Sequence, residues 1–315
     1  MMATTLKRAV SKYKVWLFCL LACIIVPIFN SNFYSAQNVE SVVRQMIPYG
    51  TVALGLTLGY IAGVINLTIG AMLALAAGIF VRLTPVIGLW PAMLAALMAG
   101  ALVGLVAAFL VCYVGLHGWL VVISMMIGLN GVAVVVCDYT TVPLDNATFE
   151  MIANAKLGPV PTLFLLYLAL IFAAEWFLRR TRFGREMYAC GGNAEIAKSC
   201  GVNVLRTRTI TFVLSSTLAA LGGVLLMTRL FSANGTLGAN TIMEVLPMSI
   251  IGGASFAGGK GSAIGTLSGT LCMVLISTVL NLFNVDTNYQ SIIQGLILIV
   301  IIASDKYFVN KEKKV

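Results

Sequence analysis

The feature that most limits the fold of this chain is a series of long apolar runs separated by short polar gaps. Between Arg82 and Asp138, for example, no Asp, Glu, Lys or Arg occurs. Charged residues form only 10% of the chain, whereas soluble domains carry about a quarter. Runs of about 20 apolar residues are long enough to cross a bilayer as helices. The sequence therefore predicts an all-α fold, a polytopic transmembrane helical bundle.

We interpret residues 1–315 as one transmembrane domain. The charged residues divide it into about ten spans. The first apolar run resembles a signal peptide, with a weak lipidation box at Cys23, but no small-residue cleavage site follows it. We interpret it as an uncleaved span. The predicted spans are residues 15–30, 46–62, 70–82, 91–112, 119–137, 162–178, 209–228, 243–257, 263–283 and 288–304.

The basic residues predict the orientation of this bundle. With the N-terminus inside, sixteen Lys and Arg residues fall on the inner side and four on the outer side. Because cytoplasmic loops carry the excess of basic residues, both termini and the polar stretch 179–208 are expected in the cytoplasm. The net charge of +9 is then an orientation signal and not a nucleic-acid-binding surface. The four outer residues are Arg44, Arg82, Lys156 and Arg229.

Two glycine-containing interruptions, "AGVINLTIGAM" and "IIGGASFAGGKGSAIG", break the apolar pattern in the two halves of the chain. Irregular backbone inside a bilayer is tolerated only where protein or water surrounds it. Matching interruptions are typical of a transport pathway between inverted repeats. Asn66 and Thr68 either line this pathway or satisfy backbone groups at the break. The candidate pathway residues are Asn66, Thr68, Gly253 and Ser255.

Three glycines upstream of the first interruption, Gly55, Gly59 and Gly63, recur every fourth residue. This spacing places them on one side of a helix, where a neighbouring helix can approach closely. We interpret them as packing positions in the bundle.

Nothing in the sequence predicts catalysis. The second interruption lacks the G-x4-G-K-[ST] pattern of a phosphate-binding loop, since Ala254 replaces the first glycine and Gly261 follows Lys260. One histidine, His117, and seven scattered cysteines give neither a metal site nor a disulfide framework. No cofactor, metal or catalytic residue is expected in this chain. Glu175 is interpreted as an interfacial ion-pair partner of nearby arginines.

The polar stretch "GREMYACGGNAEIAKSCGVNV", residues 184–204, predicts a short capped helix. Asn193 can cap its first turn, and Glu195 and Lys198 suit the helix dipole at the two ends. Gly201 supplies a left-handed stop. A helix of about seven residues is not stable alone, so it packs on the protein's own spans or in a partner's groove. Its small apolar face, with Ile196 and Cys200, favours packing in a partner's groove.

With these motifs the chain resembles the membrane-spanning permease subunits of ABC importers for sugars, the ribose-type branch. The resemblance covers residues 46–304 and rests on "GLTLGYIAGVINLTIGAMLALAAG", the polar stretch and the second interruption. It implies a single permease domain with a cytoplasmic coupling loop, residues 179–208, which docks into a cleft of the ATPase. Carried over, the coupling residues are Gly184, Arg185, Gly191, Gly192, Asn193, Glu195, Ala197 and Gly201.

The resemblance also implies the partners. These are a second permease subunit, identical or paralogous, two cytoplasmic ATPase subunits that bind ATP and magnesium, and a periplasmic sugar-binding protein. This chain departs from the family at Asn66, in "INLT", where the family usually has an aspartate.

The expected function is that of a permease subunit, not an enzyme, in the bacterial inner membrane. It would move a neutral sugar or sugar-like solute by alternating access, since few intramembrane charges suit an uncharged solute. The alternative is a stand-alone ion-coupled secondary transporter, for which the spans offer almost no buried carboxylates. A membrane-embedded enzyme is disfavoured by the sparse acids and the single histidine.

Overall fold

The computed structural model describes residues 31–158, 160–286 and 288–299. The first predicted span, residues 15–30, and the end of the last one lie outside the described residues. The described chain is mainly helical, after a short 3-10 turn at Ser31–Tyr34. The helices are α1 Ala36–Ile61, α2 Ile69–Ile87, α3 Leu89–Ala108 with a π-helical turn Phe109–Tyr113, α4 Gly118–Val136, α5 Ala147–Asn154, α6 Thr162–Arg180, α7 Arg182–Gly192, α8 Ala194–Ser199, α9 Val204–Leu230, α10 Thr241–Ile251, α11 Ala263–Leu282 and α12, residues 288–299.

By length and composition, six helices of the described chain can cross a membrane. They are α2, α3 with its π-helical turn, α4, α6, α9 and α11. The chain is thus a multi-pass helical bundle. The predicted span 243–257 is wrong in its extent, because α10 ends at Ile251 and residues 252–262 are not helical. Gly253, with φ of +90°, adopts a backbone conformation that helices exclude.

The centre of the bundle is α9, which packs against α1, α2 and α3. Small residues bring these backbones together: a Cβ placed on Gly104 of α3 would lie 2.7 Å from the Phe212 carbonyl oxygen of α9. A Cβ on Gly55 would lie 2.8 Å from the Ser215 carbonyl oxygen, which confirms the predicted packing role of Gly55. The prediction is wrong for Gly63, which lies beyond the end of α1.

One end of the bundle carries the connections at 138–161 and 229–240. These are more ordered than the loops predicted there, since they contain α5 and two short antiparallel pairs. Strand β1 (Val142–Pro143) pairs with β4 (Ser232–Ala233), and β2 (Lys156–Leu157) pairs with β3 (Val160–Pro161). At this end Glu40 accepts hydrogen bonds from Arg44 and Lys156, at 2.8 and 2.7 Å. Arg44 and Lys156 therefore share one side, as their predicted placement requires.

The two interruptions meet at the opposite end of α1. The amide of Gly259 donates a hydrogen bond to the carbonyl oxygen of Ile61, the last residue of α1, at 3.2 Å. Both interruptions thus lie at the same end of the bundle. The inverted-repeat relation between the two halves stays a prediction.

Candidate functional site

The polar stretch forms two consecutive helices, α7 and α8. Thr181 caps α7, its hydroxyl oxygen accepting a hydrogen bond from the amide of Gly184 at 3.0 Å. A Cβ on Gly184 would lie 2.6 Å from the Cα of Leu178, so the sharp corner between α6 and α7 requires a glycine. Arg185 is exposed on the outer face of α7. The sequence interpretation predicted only the second helix and missed α7.

Helix α8 has the caps that the sequence predicted. The side-chain oxygen of Asn193 accepts hydrogen bonds from the amides of Glu195 and Ile196, at 3.0 and 3.1 Å. Glu195 lies in the first turn and Lys198 in the last. Gly201 follows with φ of +82°. The helix is six residues long, close to the predicted seven.

The small apolar face of α8 is divided between the protein interior and the solvent. Ala197 is buried against the protein's own helices. Ile196, by contrast, has 61% of its surface exposed, and Cys200 is exposed as well. Packing on the chain therefore holds α8 in place, while an apolar side chain on a rigid support remains available to another molecule.

Gly191 joins this element to both interruptions. A Cβ on Gly191 would lie 2.5 Å from the amide nitrogen of Gly259 and 2.9 Å from that of Gly63, and closer still to the carbonyl oxygen of Ile61. Only a residue without a side chain permits this approach. The adjacent Gly192 differs, because a Cβ there would meet nothing within 4 Å.

Tyr188, which sequence reasoning missed, connects α7 to the second interruption. The Tyr188 hydroxyl of α7 donates a hydrogen bond to the carbonyl oxygen of Gly261 at 2.7 Å. Burial raises the pKa of this hydroxyl, so it remains protonated and able to donate. Nothing in the sequence pattern marked Tyr188, since its partner lies 73 residues away.

Glu175 is buried near the inner end of α6, where it forms the predicted ion pair with Arg179. Its second carboxylate oxygen accepts hydrogen bonds from the amides of Ala263 and Ile264, at 2.8 and 3.3 Å. Glu175 therefore also satisfies free amides at the start of α11, a role that the sequence did not reveal. It fixes the end of the second interruption to α6.

Asn66 contacts α9, and Thr68 contacts Asn66. The Asn66 amide nitrogen donates to the hydroxyls of Ser215 and Ser216, at 3.2 and 3.0 Å. Its oxygen accepts hydrogen bonds from the amide and hydroxyl of Thr68, at 3.2 and 2.6 Å. Both residues are fully buried. Asn66 satisfies one backbone group at the break, the amide of Thr68, and its other hydrogen-bond partners are side chains.

The other two candidate pathway residues lie in the second interruption. Gly253 is exposed, and a Cβ there would meet nothing within 4 Å. Ser255 is buried, and its hydroxyl oxygen accepts a hydrogen bond from the Ala257 amide at 3.3 Å. Among the pathway candidates, Asn66 and Thr68 are hydrogen-bonded to each other. The coupling candidates lie in α7, in α8 and in the turns that follow these two helices.

Comparison with known proteins gives consistent matches along the chain. Residues 38–302 match the family described as the permease component of branched-chain amino acid transport systems. The chain is 30% identical to the ribose import permease protein RbsC of Haemophilus influenzae, over 91% of each chain. It is 32% identical to the D-allose transport system permease protein AlsC of Escherichia coli, over 92% of this chain and 90% of that one. No solved structure matches.

Proposed function

Because this chain belongs to the family of permease components of branched-chain amino acid transport systems, we propose that it is the membrane-spanning subunit of an ATP-driven importer of a neutral sugar or sugar-like solute. Relatives named as ribose and allose permeases, similar along about nine-tenths of the chain, support the solute class. As a permease component it is a transport subunit and not an enzyme. ATP and its magnesium ion are bound by separate ATPase subunits.

The observation that carries the proposal is the two-sided character of α7 and α8. Their inner side meets both interruptions through Gly191 and Tyr188. Their outer side presents Ile196 on a capped helix. An ATPase that binds the outer side would therefore be connected, through backbone contacts, to α1 and α11. In the proposal, residues 179–208 form the coupling loop, and solute crosses by alternating access.

The proposed topology has ten spans with both termini in the cytoplasm. The separation of Arg44 and Lys156 from α7 and α8 by the length of α1 supports opposite sides for these two groups. The partners in this arrangement are a second permease subunit, two ATPase subunits and a solute-binding protein on the outer face. The site is the inner membrane of a bacterium, as the relatives' organisms suggest.

The second candidate function, an ion-coupled transporter working alone, has little support. Such a protein needs a buried carboxylate that gains and loses a proton or sodium ion. In the described part of the chain, Glu175 has the least exposed carboxylate, and its oxygens already contact Arg179 and the amides at the start of α11. Glu244, partly buried in the first turn of α10, lies beside Tyr49 and Arg229. The contacts of Glu175 suit a structural role.

The test is uptake of labelled ribose and allose by vesicles that contain the purified permease. We expect uptake only when the ATPase subunits, the binding protein and ATP are all present. Uptake driven by an ion gradient without the ATPase would overturn the proposal.

A second experiment tests docking of the ATPase. Ile196→Asp should weaken ATPase association without loss of folding, since this side chain is exposed. Met151→Asp, at an exposed apolar residue of α5, is the matched control and should leave association unchanged.

A further inference from the structure

Two neighbouring cavities share one basic residue, Arg208 of α9. The larger has a volume of about 620 Å³ and lies between α8, the start of α9 and the π-helical turn after α3. The smaller, of about 230 Å³, lies between that turn, the start of α4 and the first interruption. The larger cavity borders the coupling helix α8 and the smaller one borders the first interruption, but the proposed function assigns a ligand to neither. Val111, in the π-helical turn, lines both of them.

The guanidinium group of Arg208 is incompletely satisfied. Its Nε atom is buried and has no hydrogen-bond partner within the described residues. The arginine side chain is permanently charged and carries only donors, so a buried unpaired nitrogen is costly unless an acceptor is supplied from outside. The surroundings of Arg208 therefore have the chemistry of a site for an anionic group.

The walls of the larger cavity are apolar on the side of the spans. They are formed there by Val111, Cys112, Val204 and Leu205. Arg208 lies in the second turn of α9, at the boundary of a membrane-crossing helix. The smaller cavity is bordered by Trp119, which is about half exposed, as aromatic residues at a membrane interface often are.

The neighbouring surface of α3 and α4 is apolar and exposed. Leu105 of α3, Phe109 of the π-helical turn and Leu120 of α4 are all more than half exposed. The apolar cavity wall thus continues onto the surface that acyl chains would cover. A free anion in water would gain nothing from such a wall, whereas a phospholipid would bury its chains there.

The charged side chains of the larger cavity fit a single negative charge. Lys198 and Arg208 contribute two positive charges and Glu195 one negative charge. One phosphodiester would balance the remaining positive charge. Basic pockets between spans on the cytoplasmic side of membrane proteins are recurrent sites for anionic headgroups.

We propose that these cavities bind one anionic phospholipid of the inner leaflet, with its phosphate on Arg208 and its acyl chains along α3 and α4. The assignment to the inner leaflet rests on the proposed topology. Because Ala194, Glu195 and Lys198 of α8 also line the larger cavity, the bound lipid contacts the back of the coupling helix. Lipid composition would then affect how firmly α8 is held when the ATPase docks.

The test is a binding titration of the purified permease in detergent, without ATPase or solute, followed by native mass spectrometry. The probes are phosphatidylglycerol and phosphatidylcholine. We expect phosphatidylglycerol to be retained preferentially, and Arg208→Gln to weaken its binding about tenfold, as expected for the loss of a charged hydrogen bond. Arg206→Gln is the matched control, since Arg206 is an exposed neighbour that lines neither cavity.

Equal retention of the two lipids by the unaltered permease would overturn the proposal, and so would equal weakening by the two arginine variants. Displacement of the lipid by an excess of inorganic phosphate would assign the site to a free anion instead. If Arg208→Gln does not fold, Cys112→Phe, which fills the larger cavity, should reduce lipid retention in its place. Failure here leaves the uptake experiment unaffected, because no ATPase or sugar takes part.

Discussion

The amide of Gly259 donates a hydrogen bond to the carbonyl oxygen of Ile61, so the two interrupted segments, almost 200 residues apart in sequence, share a backbone contact. Gly191 of α7 lies directly against this pair. The element that we propose to contact the ATPase is thus in contact with the end of α1 and the approach to α11.

Gly191→Ala should destabilise the permease by about 1–3 kcal/mol, as overpacking of a filled interior does. The new methyl group would overlap the backbone of Ile61 and Gly259. Gly192→Ala is the matched control and should leave stability unchanged, because its methyl group would meet open space. Thermal unfolding in detergent measures both. A Gly191→Ala protein as stable as the Gly192→Ala protein would contradict the close contact.

Tyr188→Phe removes the hydrogen bond to the carbonyl oxygen of Gly261. We expect a loss of about 1 kcal/mol of stability and a lower ratio of solute transported to ATP hydrolysed. Tyr139→Phe, at an exposed tyrosine in a different loop, serves as the control. The measurement is ATP hydrolysis and uptake in the same vesicles, and an unchanged ratio would remove Tyr188 from the coupling path.

Glu175→Ala should cost about 1–3 kcal/mol, because the buried amides of Ala263 and Ile264 lose their acceptor. Glu175→Gln keeps an acceptor oxygen and should be milder. Arg179→Gln removes the ion pair alone, and its effect should be small because this arginine is largely exposed. We therefore expect the lowest unfolding temperature for Glu175→Ala, a higher one for Glu175→Gln and the highest for Arg179→Gln. A different order would refute the capping role.

Asn66→Ala should destabilise the protein by about 1–3 kcal/mol, since the amide joins Thr68 to two serines of α9. The same variant tests the pathway role. A structural role alone predicts that uptake per folded molecule is retained. A pathway role requires the contact with α9 to open during the cycle, and then uptake should fall more than the folded fraction does.

Cys200 and Cys190 should react differently with a maleimide. Cys200 is exposed, whereas Cys190 is buried in α7, and this burial raises the pKa of its thiol. The reactive thiolate of Cys190 is therefore scarce at neutral pH, and its labelling should accelerate as the pH rises. Peptide mass spectrometry can follow both sites, with Cys200→Ser as the control. Equal rates at neutral pH would show that α7 is not packed as described.

Local chemistry made α8 predictable. The cap at Asn193, the charges of Glu195 and Lys198 and the stop at Gly201 all act within a few residues, so the sequence contains them completely. Apolar runs likewise predicted the long helices, although α1 begins ten residues before its predicted span, at Ala36. The polar side chains of its first turns are compatible with either a loop or an exposed helix.

Contacts between distant segments were not predictable in the same way. The partners of Tyr188, Glu175 and Gly191 lie about 70 to 130 residues away, and no periodic pattern records them. The spacing of Gly55, Gly59 and Gly63 predicted a single helix face, but it could not show that the helix ends before Gly63. The end of α10 was marked in the sequence by Gly252 and Gly253, but the predicted span 243–257 continued past them.

The glycine contacts around α9 have a mechanical consequence. Where the backbone of Gly104 meets that of Phe212 and Gly55 meets that of Ser215, no flexible side chain lies between the helices. Such an assembly resists compression and cannot absorb a push by changing rotamers. A force applied at α8 should therefore move α1, α3 and α9 together as one rigid unit. Bending should then occur in the two interruptions, whose glycines Gly63 and Gly259 contact Gly191.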